Sequence, residues 1–258
     1  MIYITGDIHG NPNRFAMNSF PEQKNMTKDD YVIILGDFGV IWDNKESKNE
    51  KYWLKWLDEK PFTTLFIDGN HENFNRLYSY PVEEWKGGKV HKISNSVYHL
   101  MRGQVFNIDN TTFFTFGGAR SHDISAGILD RTDKDFHKKK KQLDKDPWNS
   151  YRILNESWWE LELPTDEEIE EGRKNLNKYN KVDYILTHCP PASIYKKLDF
   201  TEKGNNLTLF LEEVYESNKF NTWVCGHIHE NMKINDKFII LYEQITAIPQ
   251  KERSIEER

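Results

Sequence analysis

Hydrophobic and polar positions change their period several times along this chain, and the changes mark its elements. Five short runs are mostly apolar: Ile2–Thr5, Tyr31–Leu35, Thr63–Ile67, Asp183–Leu186 and Asn221–Cys225. Apolar, β-rich runs of this length predict strands buried on both faces. Helical periodicity appears between them. Within Glu50–Glu59, Trp53, Leu54, Trp56 and Leu57 form one stripe. Thr165-Asp166-Glu167-Glu168 is a capping box that opens a helix through about Tyr179. Leu207–Ser217 carries Leu207, Phe210, Leu211, Val214 and Tyr215 on one side.

Between Lys89 and Phe116 the pattern becomes strand-like: Lys89–Ser94, Val97–Met101, Gln104–Ile108 and Thr112–Phe116, separated by turn residues. This spacing predicts a meander. A later hairpin pairs Asn231–Ile234 with Phe238–Tyr242 across Asn235-Asp236-Lys237. Alternating strands and helices with antiparallel additions predict an α/β fold of two packed sheets flanked by helices. Gly117 to about Pro164 is irregular, charged and Trp-bearing. With the helix that follows, it is expected to form a loop and helical excursion over about 117–180 from a single domain spanning 1–250. Residues 251–258 are a charged tail, expected to be frayed or an exposed helix end.

Composition narrows the picture. The chain has 258 residues, 37% hydrophobic and 29% charged, which suits one substantial core. Its formal net charge of −6 argues against a generally basic nucleic-acid surface. The two cysteines, Cys189 and Cys225, form no CxxC pair, so no disulfide framework or zinc ribbon is indicated. Unpaired thiols, and an N-terminus without a basic leader or apolar core, predict a cytoplasmic protein. The apolar runs fall far short of the ~20 residues that span a bilayer, so no membrane association is expected.

Candidate chemistry sits where strands should end. The clusters are Gly6-Asp7-Ile8-His9-Gly10, Gly36-Asp37, Gly69-Asn70-His71-Glu72, Thr187-His188 and Gly226-His227-Ile228-His229. On extended backbone, side chains two apart point the same way, so Asp7 with His9, and His227 with His229, can each grip one ion. Asp37 can bridge two ions with its two oxygens. Asn70 offers a neutral carbonyl oxygen and His188 an imidazole. Each cluster alone is more often a turn or a cap; their co-occurrence after successive strands points to two divalent metal ions. Against two aspartates and a bridging hydroxide, such a pair leaves an inner shell of roughly +1, suited to an anionic ester. The ions would lower the pKa of water and polarise phosphoryl oxygens, for in-line attack by the bridging hydroxide. His71 is surplus to the metal count and can serve as general acid or steady the phosphoryl charge.

These five blocks, in this order, resemble the calcineurin-like metallophosphoesterase superfamily over nearly the whole chain. The resemblance implies a four-layer α/β/β/α sandwich of two mixed sheets flanked by helices. It implies that Asp7, His9, Asp37 and His229 hold one ion, that Asp37, Asn70, His188 and His227 hold the other, and that His71 is catalytic. One departure stands out. Where many members carry a second Asp three residues after the Gly-Asp aspartate, often followed by Arg, this chain has Val40. The usual partner of the catalytic histidine is missing there, with Asp43 and Asp68 as possible substitutes. The missing Asp-Arg also speaks against a Ser/Thr protein phosphatase.

Secondary candidates have plain alternatives. Arg120, in Gly117-Gly118-Ala119-Arg120-Ser121-His122, can fork onto a substrate phosphate or be a solvated turn arginine. His122 can contact substrate or be a surface histidine. Asn70 is a candidate for substrate as well as metal contact. Lys138–Lys141 can guide a polyanion, but flanking acids favour a solvated segment. Trp42, Trp158 and Trp159 can stack on a base or pack in the core, and Glu72 can orient the ligand loop or be solvated. The expected function is hydrolysis of phosphomonoesters or phosphodiesters. Mixed N/O ligation suits manganese first, and iron, zinc, nickel or cobalt. The alternatives are a nuclease or nucleotide phosphodiesterase acting on a nucleotide or nucleic acid, and a non-catalytic, metal-bound module that binds a phosphorylated ligand.

Overall fold

The structure, a computed structural model, describes residues 1–200 and 204–249; the charged tail at 251–258 lies outside the described residues. Two large mixed sheets pack face to face and helices cover their outer faces. The first has seven strands in the order Thr246–Ala247, Ile2–Thr5, Tyr31–Leu35, Thr63–Ile67, Val97–Leu100, Gly88–Lys92, Val82–Trp85. The second has six, in the order Met232–Asn235, Phe238–Ile240, Phe220–Cys225, Val182–Thr187, Thr111–Phe116, Gln104–Ile108.

Side-chain alternation explains the layering. In Tyr31–Leu35, Ile33 and Leu35 face the second sheet, while Val32 and Ile34 face the outer helices. The second sheet mirrors this: Leu186 and Val224 join the inter-sheet core, while Ile185 and Trp223 pack outward. Both faces of these strands are therefore apolar, and period-2 polarity never appears in the sequence. Helix Lys48–Asp58 covers the first sheet through Leu54 and Leu57. Helices Asp166–Leu176 and Asn206–Ser217 cover the second. The capping box at Thr165 and Glu168 is present, and the helix it opens ends at Leu176.

The run from 88 to 116 differs from a single meander. Gly88–Lys92 and Val97–Leu100 belong to the first sheet, and Gln104–Ile108 and Thr111–Phe116 to the second. The chain crosses between sheets at Arg102-Gly103, where Gly103 takes a positive φ of 71°. Strand Val82–Trp85 has no apolar run to announce it; it is an edge strand whose first three residues are exposed. The segment after Gly117 is more ordered than its composition suggests. It holds a parallel pair, Ile128–Leu129 with Arg152–Ile153, and a helix, Phe136–Leu143. The lysine run lies on that helix, where Lys139 pairs with Asp133 and Lys140 with Asp144. Among the described residues no helix is long and apolar enough to cross a membrane.

The inter-sheet core fixes the distance between the two sets of strand ends, so it should carry a large share of stability. Leu186→Ala, at a fully buried inter-sheet position, is expected to cost about 2–5 kcal/mol in urea unfolding. Leu209→Ala, on an exposed helix face, is expected to cost no more than about 0.5 kcal/mol.

Candidate metal centre

Ile2–Thr5, Tyr31–Leu35 and Thr63–Ile67 run parallel in one sheet, and Val182–Thr187 and Phe220–Cys225 run parallel in the other. All five carboxyl ends converge, and the loops that leave them carry the clustered Asp, Asn and His residues. The turns are sharp. His9, Asp37, His227 and His229 all adopt positive φ, between 45° and 66°, a conformation that costs energy for non-glycine residues. Two glycines make the approach possible. A Cβ on Gly36 would meet His188 Nδ1 at 2.2 Å, and one on Gly226 would meet Asp7 Oδ1 at 2.4 Å.

The geometry is a compact alternation of carboxylates and imidazoles. Asp7 and Asp37 are buried, with side chains at most 2% exposed. His188 lies between them: its Nε2 is 3.3 Å from Asp37 Oδ1 and its Nδ1 is 3.8 Å from Asp7 Oδ1. His188 Nδ1 also sits 2.7 Å from the Leu35 carbonyl oxygen. His229 Nε2 is 3.1 Å from Asp7 Oδ2. His9 spans the pair, with Nε2 3.9 Å from Asp7 Oδ2 and Nδ1 3.7 Å from Asp37 Oδ2. His227 Nδ1 lies 3.2 Å from His188 Nε2, and the His227 amide donates to Asp7 Oδ1 at 3.0 Å. The His71 amide donates to Asp37 Oδ1 at 2.8 Å. Three groups bring their donor atoms within 4.8 Å of one another: Asp7, His9 and His229; His9, Asp37 and His71; Asp7, Asp37 and His188.

This donor set fits divalent cations. Asn70 Oδ1 is buried and accepts no hydrogen bond, a costly state for a polar atom unless another group coordinates it, and Asp7 Oδ2 faces imidazole nitrogens, His229 Nε2 at 3.1 Å and His9 Nε2 at 3.9 Å. Nitrogen and oxygen donors without thiolate suit borderline or hard divalent ions. The electrostatics agree. Burial opposes charge on His188, but Asp37 and Asp7 outweigh it and raise the imidazole to about 10. Burial likewise opposes ionisation of Asp37, and His188 overrides it, holding Asp37 far below the usual carboxylate range. His227 and His9 are both pushed down, chiefly by burial. In the absence of cations, a proton on His188 therefore stands in for positive charge between the aspartates.

The other sequence candidates fall in distinct places. Asn70 is buried, and its Nδ2 donates to Ser121 Oγ at 3.4 Å. His71 is half-buried. Its ring stacks on Trp42 at 5.9 Å and meets His9 edge-on at 4.9 Å. Burial, with Arg152 adding to it, lowers the His71 pKa. Among the described residues neither substitute partner is hydrogen-bonded to that ring: the Asp68 carboxylate is committed to Arg102 and His99, and Asp43 offers its backbone carbonyl to Asn73 and Arg76. His122 meets the cluster through His227, with the two Nε2 atoms 2.9 Å apart. Arg120 is half-buried and makes no hydrogen bond or ion pair among the described residues. Glu72 is buried and accepts the Phe38 and Gly39 amides at 2.7 and 3.2 Å, which shapes the loop after Asp37. Trp159 is core packing, edge-on to Trp42 at 5.5 Å.

Sequence reasoning missed three arginines. Arg14 donates to the Asp7 carbonyl at 2.6 Å and the Tyr242 carbonyl at 2.6 Å, tying the Asp7 loop to the C-terminal strands. Arg102 is fully buried; it binds Asp68 at 2.5 Å and donates to the Leu161 carbonyl at 2.8 Å. Arg152, from the excursion, places Nη2 3.2 Å from His71 Nε2. None lies in a motif, and spacing along the chain carries no signal for them.

The family profile described as calcineurin-like phosphoesterase matches residues 1–231. The chain belongs to that family. Curated relatives are similar at low identity. A lariat debranching enzyme of Drosophila pseudoobscura pseudoobscura is 23% identical over 88% of this chain and 42% of its own length. One of Schizosaccharomyces pombe is 25% identical over 78% of this chain and 43% of its own. Lariat debranching enzyme A of Xenopus laevis is 25% identical over 50% and 26%. The chain thus spans less than half the length of these relatives.

The His188–aspartate cluster makes a pH prediction for the metal-free protein. The folded pKa of His188, about 10, lies above its ordinary 6.5. Its contribution is then complete below pH 6.5 and is lost as pH rises through about 10. The stability difference between wild type and His188→Asn, measured by urea unfolding in chelator, should be largest near pH 6 and shrink toward pH 10. A difference that grows over this range would contradict the assignment.

Proposed function

We propose that the chain is a divalent-metal-dependent phosphoesterase whose centre is the Asp7–Asp37–His188 cluster. The observation that carries this reading is the burial of two carboxylates around one imidazole, with an orphaned oxygen on Asn70. Asp7, His9, Asp37 and His229 are the residues assigned to one cation, and Asp37, Asn70, His188 and His227 to a second. Manganese ranks first among the candidate ions. When bound, such ions supply positive charge for the phosphoryl oxygens and lower the pKa of water.

The chain's own residues do the rest. Asp37 sets the position of His71 by accepting its amide, and Trp42 stacks on the imidazole. Burial lowers the pKa of that imidazole, and its ring N–H can steady the leaving oxygen by a hydrogen bond. His122 contacts His227 from outside the cluster, so it acts through the orientation of that ring, a partner role typical around metal-ligating histidines. The likeness to enzymes named for debranching lariats supports a phosphodiester, within which a nucleic-acid substrate is the narrower reading.

His71→Asn should leave metal content per chain unchanged and lower kcat on a bis-aryl phosphate by about 10²–10⁴-fold. Unchanged turnover would remove His71 from the mechanism. Dialysis against chelator should abolish hydrolysis, and manganese should restore it. In a substrate panel, preference for aryl phosphate over bis-aryl phosphate and oligonucleotides would overturn the diester reading.

A further inference from the structure

Arg152 occupies an unusual electrostatic position. It sits in the two-residue strand Arg152–Ile153, pinned to Ile128–Leu129 in the excursion, and is brought to the centre by folding alone. Its side chain is only 7% exposed, while its carboxylate partner Asp123 is 56% exposed. The buried Glu162 carboxylate also feels this charge, but its hydrogen bonds go to Ser121, so among the described residues no carboxylate is hydrogen-bonded to the guanidinium edge that faces His71.

Each guanidinium edge has one use. Nε meets Asp123 Oδ1 at 2.7 Å, and Nη1 donates to the Ser157 carbonyl at 3.0 Å. These two contacts fix the plane of the fork. Nη2 then points at His71 Nε2, 3.2 Å away. An imidazole nitrogen is a weaker partner for a buried guanidinium than an anionic oxygen is. Two nitrogens 3.2 Å apart leave room for one oxygen within hydrogen-bond distance, about 2.9 Å, of both.

We propose that Arg152 is a substrate-binding residue that holds a non-bridging phosphoryl oxygen beside His71. The inference rests on the phosphoesterase reading above and deepens it: the excursion delivers the cation that recognises the phosphoryl group. Such a guanidinium is held before substrate arrives, so little reorganisation is needed on binding. Glu162 links Arg152 to the Asn70 loop: it feels the Arg152 charge and accepts from the Ser121 amide and hydroxyl at 2.9 and 2.5 Å, and Ser121 Oγ accepts from Asn70 Nδ2 at 3.4 Å.

The test is equilibrium binding of inorganic phosphate, by titration calorimetry, to the full chain reconstituted with manganese. Metal content per chain and melting temperature are measured alongside, and KM and kcat on a bis-aryl phosphate complete the set. Arg152→Gln should keep its metal and weaken phosphate binding by about 30-fold or more, the loss typical of removing one partner of a desolvated charge pair. Arg152→Lys keeps the charge but cannot hold Asp123 and Ser157 while reaching His71, so its affinity should fall between. Wild-type phosphate affinity in either folded, metal-replete variant overturns the proposal. If wild type itself, fully metallated, neither binds phosphate nor hydrolyses ester, the phosphoesterase reading fails and this proposal with it. If wild type does both and Arg152→Gln binds phosphate unchanged, the role of Arg152 alone is lost.

Discussion

Two buried carboxylates, Asp7 and Asp37, face a common space, and most of the unusual features of this molecule answer to that fact. Placing like charges together in a desolvated site is expensive unless positive charge lies between them. In the cation-free chain the protonated His188 ring supplies it. Asp7 also meets His229 Nε2 at 3.1 Å, a contact that raises that imidazole, while Asn70 Oδ1 is left without a donor. Paired carboxylates, several imidazoles and an unsatisfied amide oxygen make the cluster a candidate cation site and not simply a buried ion pair. The positive-φ backbone at His9, Asp37, His227 and His229 is a cost borne at the same spot.

The surrounding architecture holds that arrangement in place. The strand ends supply coarse position, and arginines supply the fine adjustment. Arg14 fastens the Asp7 loop through backbone carbonyls. Arg102 binds Asp68, two residues before Asn70, and also holds the Leu161 carbonyl. One buried guanidinium therefore joins the Asn70–His71 loop to the far end of the excursion. Gly117 is pressed against Asp68 in the same place: a Cβ there would lie 2.4 Å from Asp68 Oδ1. The excursion is thereby registered to the centre twice, through Arg102 at the Leu161 carbonyl and through Arg152 at His71.

Much of this was legible in the chain itself, because strand-end ligands follow their strands within a few residues. Asp7, Asp37, Asn70, His188 and His227 each stand one to three residues beyond a buried apolar run, and the structure brings Asp7, Asp37, His188 and His227 into contact. Local chemistry also gave the capping box at Thr165. What was not legible depends on contacts between distant residues. Arg152 lies 81 positions from His71, and nothing in its neighbours marks it. His122 could be flagged as a candidate, but its contact with His227 required the fold. The strands from 88 to 116 read as one meander because each is correct locally; the passage from one sheet to the other at Arg102-Gly103 is a tertiary choice. Val82–Trp85 lacks any apolar signal because it is an exposed edge.

The most direct measurement is anomalous diffraction from crystals of the full chain grown with manganese, recorded at the manganese edge. The account predicts two peaks flanking Asp37, one beside Asp7, His9 and His229 and the other beside Asn70, His188 and His227. No peak at Asp37, or ions bound elsewhere with His188 still bridging the two aspartates, would contradict it.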